Sequence, residues 1–182
     1  MAVTARFLKH VLRDALDEFF VREACALVAN VNERNSCARL AVYLERAAHE
    51  AGLAGYVADT EYNRQQDGKV KTILDRNMKV ISINCDLVLH SRGAKIADDN
   101  LIAIEMKKAD RPLVEKERDR DRLRALTKSP YDQIWSYDGT VHPEHVCGYR
   151  LGVFIEIASA NRAATLEYFA EGVQTSNERH TF

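Results

Sequence analysis

The chain has 182 residues, 26 of them basic and 27 acidic, with 46% apolar and 29% charged residues. That composition is ordinary for a globular protein, and the length is enough to bury a proper core in one domain, 1–182. Near-zero net charge excludes a general polyanion binder, so nucleic-acid contact would have to come from local basic patches, and no apolar run approaches the ~20 residues of a membrane span.

Residues 4–30 read as one helix. Phe7, Leu8, Val11, Leu12, Ala15, Leu16, Phe19 and Phe20 recur at spacings of three and four, and Thr4 is placed to cap it. This is an added N-terminal helix, 1–30, packed on the core; the other reading of its wide stripe is a homodimer face. A second helix spans residues 35–51 and ends at Gly52, with Cys37, Leu40, Ala41, Leu44, Ala47, Ala48 and Ala51 inward. Extended backward, its buried face begins at Glu33. A carboxylate there either serves the helix dipole or is aimed at the sheet.

Residues 56–62 form a first expected strand. The polar stretch after it is basic through Arg64, Lys69, Lys71 and Arg76, and Asp67-Gly68 signals a turn. Glu61 is an edge-strand surface residue or a further candidate carboxylate. Strands are then expected over 82–90 and 101–108, separated by a polar turn containing Gly93. Residues 110–127 are densely charged, with Leu113, Leu123 and Leu126 as a thin apolar stripe. They form either a solvated helix laced with ion pairs or a phosphate-holding helix using Arg118, Arg122 and Arg124. After the Ser129-Pro130 break, residues 146–158 are apolar enough for a central strand. Residues 161–170 read as a helix with Ala163, Leu166 and Phe169 on one side, and 172–182 as a frayed polar tail.

Chemistry concentrates on the middle strands. Side chains alternate along a strand, so Glu105 and Lys107 share a face, roughly 6 to 7 Å apart, while Ile102, Ile104 and Met106 face the core. In an antiparallel hairpin Asp86 lies beside Glu105. Two carboxylates and an ammonium then converge, as a solvated patch of sheet or as a site for a hard divalent cation with Lys107 beside it. The cysteines at 25, 37, 85 and 147 form no CxxC pair and suggest reduced thiols in a cytoplasmic protein. His142, His145 and Cys147 lack an evident fourth zinc ligand. Asp14, Asp17 and Glu18 argue against a targeting peptide.

Asp86 followed by Glu105-Met106-Lys107 resembles the D…(D/E)xK signature of the PD-(D/E)xK nuclease superfamily. Leu101–Lys108 is the kind of apolar strand that carries ExK there. Glu33-Arg34 opens a helix as a catalytic Glu does in archaeal Holliday-junction resolvases. The segments Arg39-Leu40-Ala41-Val42-Tyr43-Leu44-Glu45 and Glu61-Tyr62-Asn63-Arg64 are similar to small bacterial members. Cys85 stands where the superfamily usually has Pro.

The resemblance covers residues 33–156. It implies a restriction-endonuclease-like α/β/α core (33–158) around a four-stranded mixed sheet, and a metal-dependent phosphodiesterase, expected to be a DNA endonuclease. The alternative is a non-catalytic nucleic-acid-binding or regulatory module that keeps the fold. It further implies Mg²⁺ or Mn²⁺ as cofactor on Asp86, Glu105 and the Met106 carbonyl. Glu33, Asp86, Glu105 and Lys107 are its catalytic set, and Arg64, Lys108, Arg122 and Arg124 its nucleic-acid contacts.

Overall fold

A computed structural model of the chain describes residues 3–63, 72–74, 80–82, 84–95, 98–128 and 147–182. Arg64, Asp67-Gly68, Lys69, Lys71, Arg76, the Ser129-Pro130 break, His142 and His145 lie outside the described residues. Helix α1 (Ala5–Arg22) is capped by the Thr4 hydroxyl, which accepts from the Phe7 N–H at 3.2 Å. A short α2 (Ala24–Val28) follows, so the expected 4–30 helix is broken at Glu23. Helix α3 (Glu33–Glu50) starts at an Asn32 cap. Cys37, Leu40, Ala41, Leu44, Ala47 and Ala48 are buried as expected, joined by Ser36 and Tyr43, while Ala51, past the helix end, is exposed.

The main sheet has six strands, in the spatial order β1 (Val57–Thr60), β4 (Leu87–His90), β5 (Asn100–Lys108), β6 (Leu151–Ala158), β7 (Ala163–Ala170) and β8 (Val173–Thr181). Only β5 and β6 are parallel; the other neighbours pair antiparallel. A separate hairpin pairs β2 (Thr72–Leu74) with β3 (Val80–Ser82). The architecture is thus mixed α/β, with more strands than the four expected. Three expectations are corrected. Residues 163–170 are a strand rather than a helix, and 173–181 form its hairpin partner rather than a frayed tail. Residues 82–90 are not one strand, because β3 ends at Ser82 and β4 begins at Leu87, leaving Asp86 on the bend that enters β4.

One sheet face carries Leu87, Leu89, Ile102, Ile104, Met106, Val153, Ile155 and Ile157, which join the buried stripes of α1 and α3. The α1 stripe is therefore spent on the core. Helix α4 (Leu113–Leu126) covers the other face, where Val88, Ala103, Phe154 and Phe169 meet Leu123 and Leu126. The cysteines are in no disulfide, and no described helix is long and apolar enough to cross a membrane.

The C-terminal end of α4 approaches β6 closely at Gly152. A Cβ there would lie 3.0 Å from Thr127 Cγ2, 3.3 Å from Phe169 Cβ and 3.4 Å from Leu123 Cδ2. Gly152→Ala is expected to cost about 1–3 kcal/mol by overpacking, measured by urea unfolding. Thr127→Ser, which removes the closest methyl and keeps the hydroxyl, should recover part of that loss.

Candidate functional site

Strand β5 outruns β4. Their pairing ends at Leu87 opposite Ile104, so the last N–H groups of β5 on that side lose a strand partner, and a buried amide left unmatched is costly. Two carboxylates take the strand's place. Asp86 Oδ2 accepts from the Met106 N–H at 2.8 Å, and Glu33 Oε1 accepts from the Lys108 N–H at 2.9 Å. This step in the sheet is what gathers the acidic residues. A pocket of about 410 Å³ opens onto it, walled by Asn32, Glu33, Arg34, Cys37, Asp86 and Arg111, among others.

On the α4 face, Glu105 and Lys107 project from β5 as the alternation requires. They do not form a solvated patch: Glu105 is 0% exposed and the Lys107 side chain 16%. Helix α4 brings the compensating charges. Arg122 Nη1 donates to Glu105 Oε1 at 2.6 Å and lies 3.1 Å from Asp119 Oδ1. Lys107 Nζ lies 3.0 Å from Asp119 Oδ2 and 3.6 Å from Asp86 Oδ2. It also donates to the Met106 carbonyl at 3.3 Å. Glu105 Oε2 has no hydrogen-bond partner among the described residues.

Burial pushes the Glu105 carboxyl well above the usual range; Arg122 opposes this, while Asp86 and Asp119 add to it. Burial likewise raises Asp119 against the pull of Lys107 and Arg122. Burial alone would lower Lys107, but Asp86 and Asp119 outweigh it and raise the ammonium. For Glu33 burial works upward, and the Lys108 N–H and Arg111 reverse it to a lowered value. Three carboxylates, those of Asp86, Glu105 and Asp119, thus share two cations, Lys107 and Arg122.

Asp86, Glu105, Lys107 and Met106 therefore come together. Glu33 stands at the pocket wall, held by the Lys108 N–H and by Arg111 Nε at 3.2 Å. Lys108 Nζ donates to the Asn30 carbonyl at 2.8 Å, and Glu61 pairs with Arg34 at 2.7 Å. Arg122 is committed inward, and Arg124 pairs with Asp121 at 3.0 Å beside the Phe169 ring. Sequence reasoning missed Asp119 and Arg111. Asp119 lies four residues before Leu123 and seven before Leu126, so helical spacing placed it on the buried face; its charge hid it. Arg111, in the β5–α4 turn, left no periodic signal.

No group of three or more His, Cys, Asp and Glu arranged to hold a metal occurs among the described residues. A two-carboxylate set of hard oxygens still suits Mg²⁺ or Mn²⁺: Mg²⁺ usually binds one or two carboxylates and keeps several waters. The unmatched Glu105 oxygen and the excess of anions over cations also fit a cation. No family model matches the chain, and neither does any curated protein or solved structure.

The raised Glu105 carboxyl gives a signed prediction. The folded chain holds that proton where the unfolded one has lost it, so this group's effect is to lower stability as pH rises from about 4.3 toward the raised value. The lowered Glu33 acts oppositely, its contribution being lost as pH falls. In EDTA, Glu105→Gln should melt above the parent at about pH 8, with the gap narrowing toward pH 5. A gap that did not change with pH, followed by thermal melts across that range, would mean that relief of the buried charge is not its origin.

Proposed function

We propose that the chain is a metal-dependent nuclease, hydrolysing phosphodiester bonds in nucleic acid, with DNA as the expected substrate. The observation that carries this reading is the buried, partly unmatched Glu105 carboxylate beside Asp86 and Lys107, at the step where β5 leaves its neighbour. An ordinary structural ion pair needs no carboxylate oxygen without a partner, and burying one costs about 1–3 kcal/mol or more for a charged group.

The inner strands add support. Strands β1, β4 and β5 form an antiparallel meander, β6 is parallel to β5, and helices lie on both faces. This arrangement supports reading β1, β4, β5 and β6 as the four-stranded α/β/α core that the D…(D/E)xK resemblance implies, with β7 and β8 as additions to it. In this reading Asp86, Glu105 and the Met106 carbonyl hold Mg²⁺ or Mn²⁺. When bound, such an ion lowers the pKa of a coordinated water and draws charge from the phosphoryl oxygens. Lys107 stays protonated between its carboxylates and stabilises negative charge developing on the phosphate, a role that suits a raised lysine better than general base. Glu33 fixes the end of β5 through the Lys108 N–H. Arg34, Lys108 and Arg111 border the pocket and supply the local positive charge that backbone phosphates require.

The deciding experiment tests the purified protein on duplex, branched and single-stranded DNA and on RNA, with Mg²⁺, Mn²⁺ or EDTA. Metal-dependent cleavage should fall on the order of a hundredfold to a thousandfold in Glu105→Gln and in Lys107→Met, or about 3–4 kcal/mol of barrier. Cleavage that survives both substitutions would move the active site elsewhere; metal-dependent binding without cleavage would favour the non-catalytic module.

Arg111 offers a separate check on where the substrate lies. Arg111→Ala should weaken DNA binding and reduce the slope of log K against log salt by roughly 0.9, the value for one lost phosphate contact. An unchanged slope would confine Arg111 to holding Glu33.

A further inference from the structure

Helix α4 is fastened to the sheet by ionic contacts. Lys116 Nζ reaches Glu156 Oε2 at 2.7 Å and donates to the Ala109 carbonyl at 2.6 Å. The Arg120 guanidinium makes paired hydrogen bonds to Glu167 at 2.8 and 2.7 Å. These tie α4 to β6 and β7. Asp119 does something different. It is 4% exposed, and its two oxygens divide between two cations from different elements: Oδ2 to Lys107 of β5, Oδ1 to Arg122 of its own helix. Arg122 in turn holds Glu105.

We propose that Asp119 is a positioning residue for the hydrolysis proposed above: it draws the Lys107 ammonium toward α4 and away from the Asp86 carboxylate. The proposal rests on the nuclease reading of the site. Lys107 has three acceptors within reach, at 3.0 Å on Asp119, 3.3 Å on the Met106 carbonyl and 3.6 Å on Asp86. The Asp86 oxygen is one a metal would use. Without the Asp119 charge, the ammonium closes onto Asp86 and competes with the ion there. A bridge that merely glued α4 down would have no such consequence, and replacing buried ion pairs by packed neutral groups often leaves stability unchanged.

The test is a double-substitution cycle of parent, Asp119→Asn, Lys107→Met and the pair, with Mn²⁺ titration and cleavage as separate readouts and thermal melts to verify folding. Asp119→Asn should weaken Mn²⁺ binding severalfold and lower kcat roughly tenfold to a hundredfold, with KM little changed. In the Lys107→Met background the same change should have less than about a threefold effect on either readout, because the cation it restrains is gone. Asp119→Glu should recover most of the loss, and it carries the cycle if Asp119→Asn does not fold. Equal factors in both backgrounds would overturn the positioning role while leaving a cleaving, Mn²⁺-binding parent, and so the nuclease reading, intact. A coupled Mn²⁺ response in a parent that cuts no substrate would uphold the positioning of Lys107 and sink the nuclease reading. A parent that neither binds Mn²⁺ nor cuts would remove both.

Discussion

Glu105 is a carboxylate with no exposed surface in the middle of a sheet, and the layout of the α4 layer follows from the need to compensate it. Removing an ion from water costs several kcal/mol after relaxation, recovered only with good geometry and matched lone pairs. The compensating cation comes from the helix opposite, so α4 must present Arg122 to β5. Once Arg122 is there, Asp119 one turn earlier joins it and reaches Lys107. The contact layer between α4 and the sheet is consequently polar along much of its length, and apolar packing is concentrated at Leu123 and Leu126, where the helix closes on Gly152.

That arrangement explains which parts of the molecule were legible in the sequence. The alternation of β5 was readable because one face is purely apolar, and it correctly sent Glu105 and Lys107 to the other. The α3 stripe was readable for the same reason and put Glu33 at the right end of its helix. Helix α4 was readable as a helix but not in its facing, because half of its buried residues, Lys116 and Asp119, are charged. The β7–β8 hairpin failed differently. Ala163, Leu166 and Phe169 fit helical spacing, yet Ala164, Leu166 and Tyr168 equally fit a strand's period of two; the latter set joins the core with α1, while Phe169 packs on the α4 side. β8 has almost no apolar residues because it is an edge strand with mostly exposed side chains. The readable sign was Glu171-Gly172, a two-residue connection whose φ values of 52° and 79° are those of a tight hairpin turn.

β8 is fixed by side chains rather than by apolar burial. Glu178 accepts from Arg13 at 2.7 Å and from the Tyr168 hydroxyl, Lys9 sits over the Tyr168 ring, and Phe182 stacks on Phe20. Burial would raise Glu178, but these hydrogen bonds outweigh it and bring the carboxyl down to about 2. At the opposite edge the Glu45 carboxylate accepts from the Ala58 N–H of β1 at 2.8 Å. The same device thus serves at the edge strand β1 and at the internal step beside β5: a carboxylate placed where a strand's N–H groups have no neighbour. At β1 it blunts an edge that could otherwise pair with another chain. At the step it has the further effect of drawing Asp86 and Glu33 toward one pocket.

The two kinds of carboxylate at the step differ in what they leave available. Glu33 faces the Lys108 N–H and Arg111, its charge is satisfied, and its lowered pKa reflects that. Glu105 keeps one oxygen unmatched, and Asp86 spends one oxygen on the Met106 N–H at the pocket wall. Glu105 is thus half-neutralised by Arg122, and Asp86 lies within 3.6 Å of an ammonium. Prepaired cations of this kind let the chain fold around its acidic residues without an ion. They also set the terms on which any ion could approach: against standing positive charge and with few protein ligands.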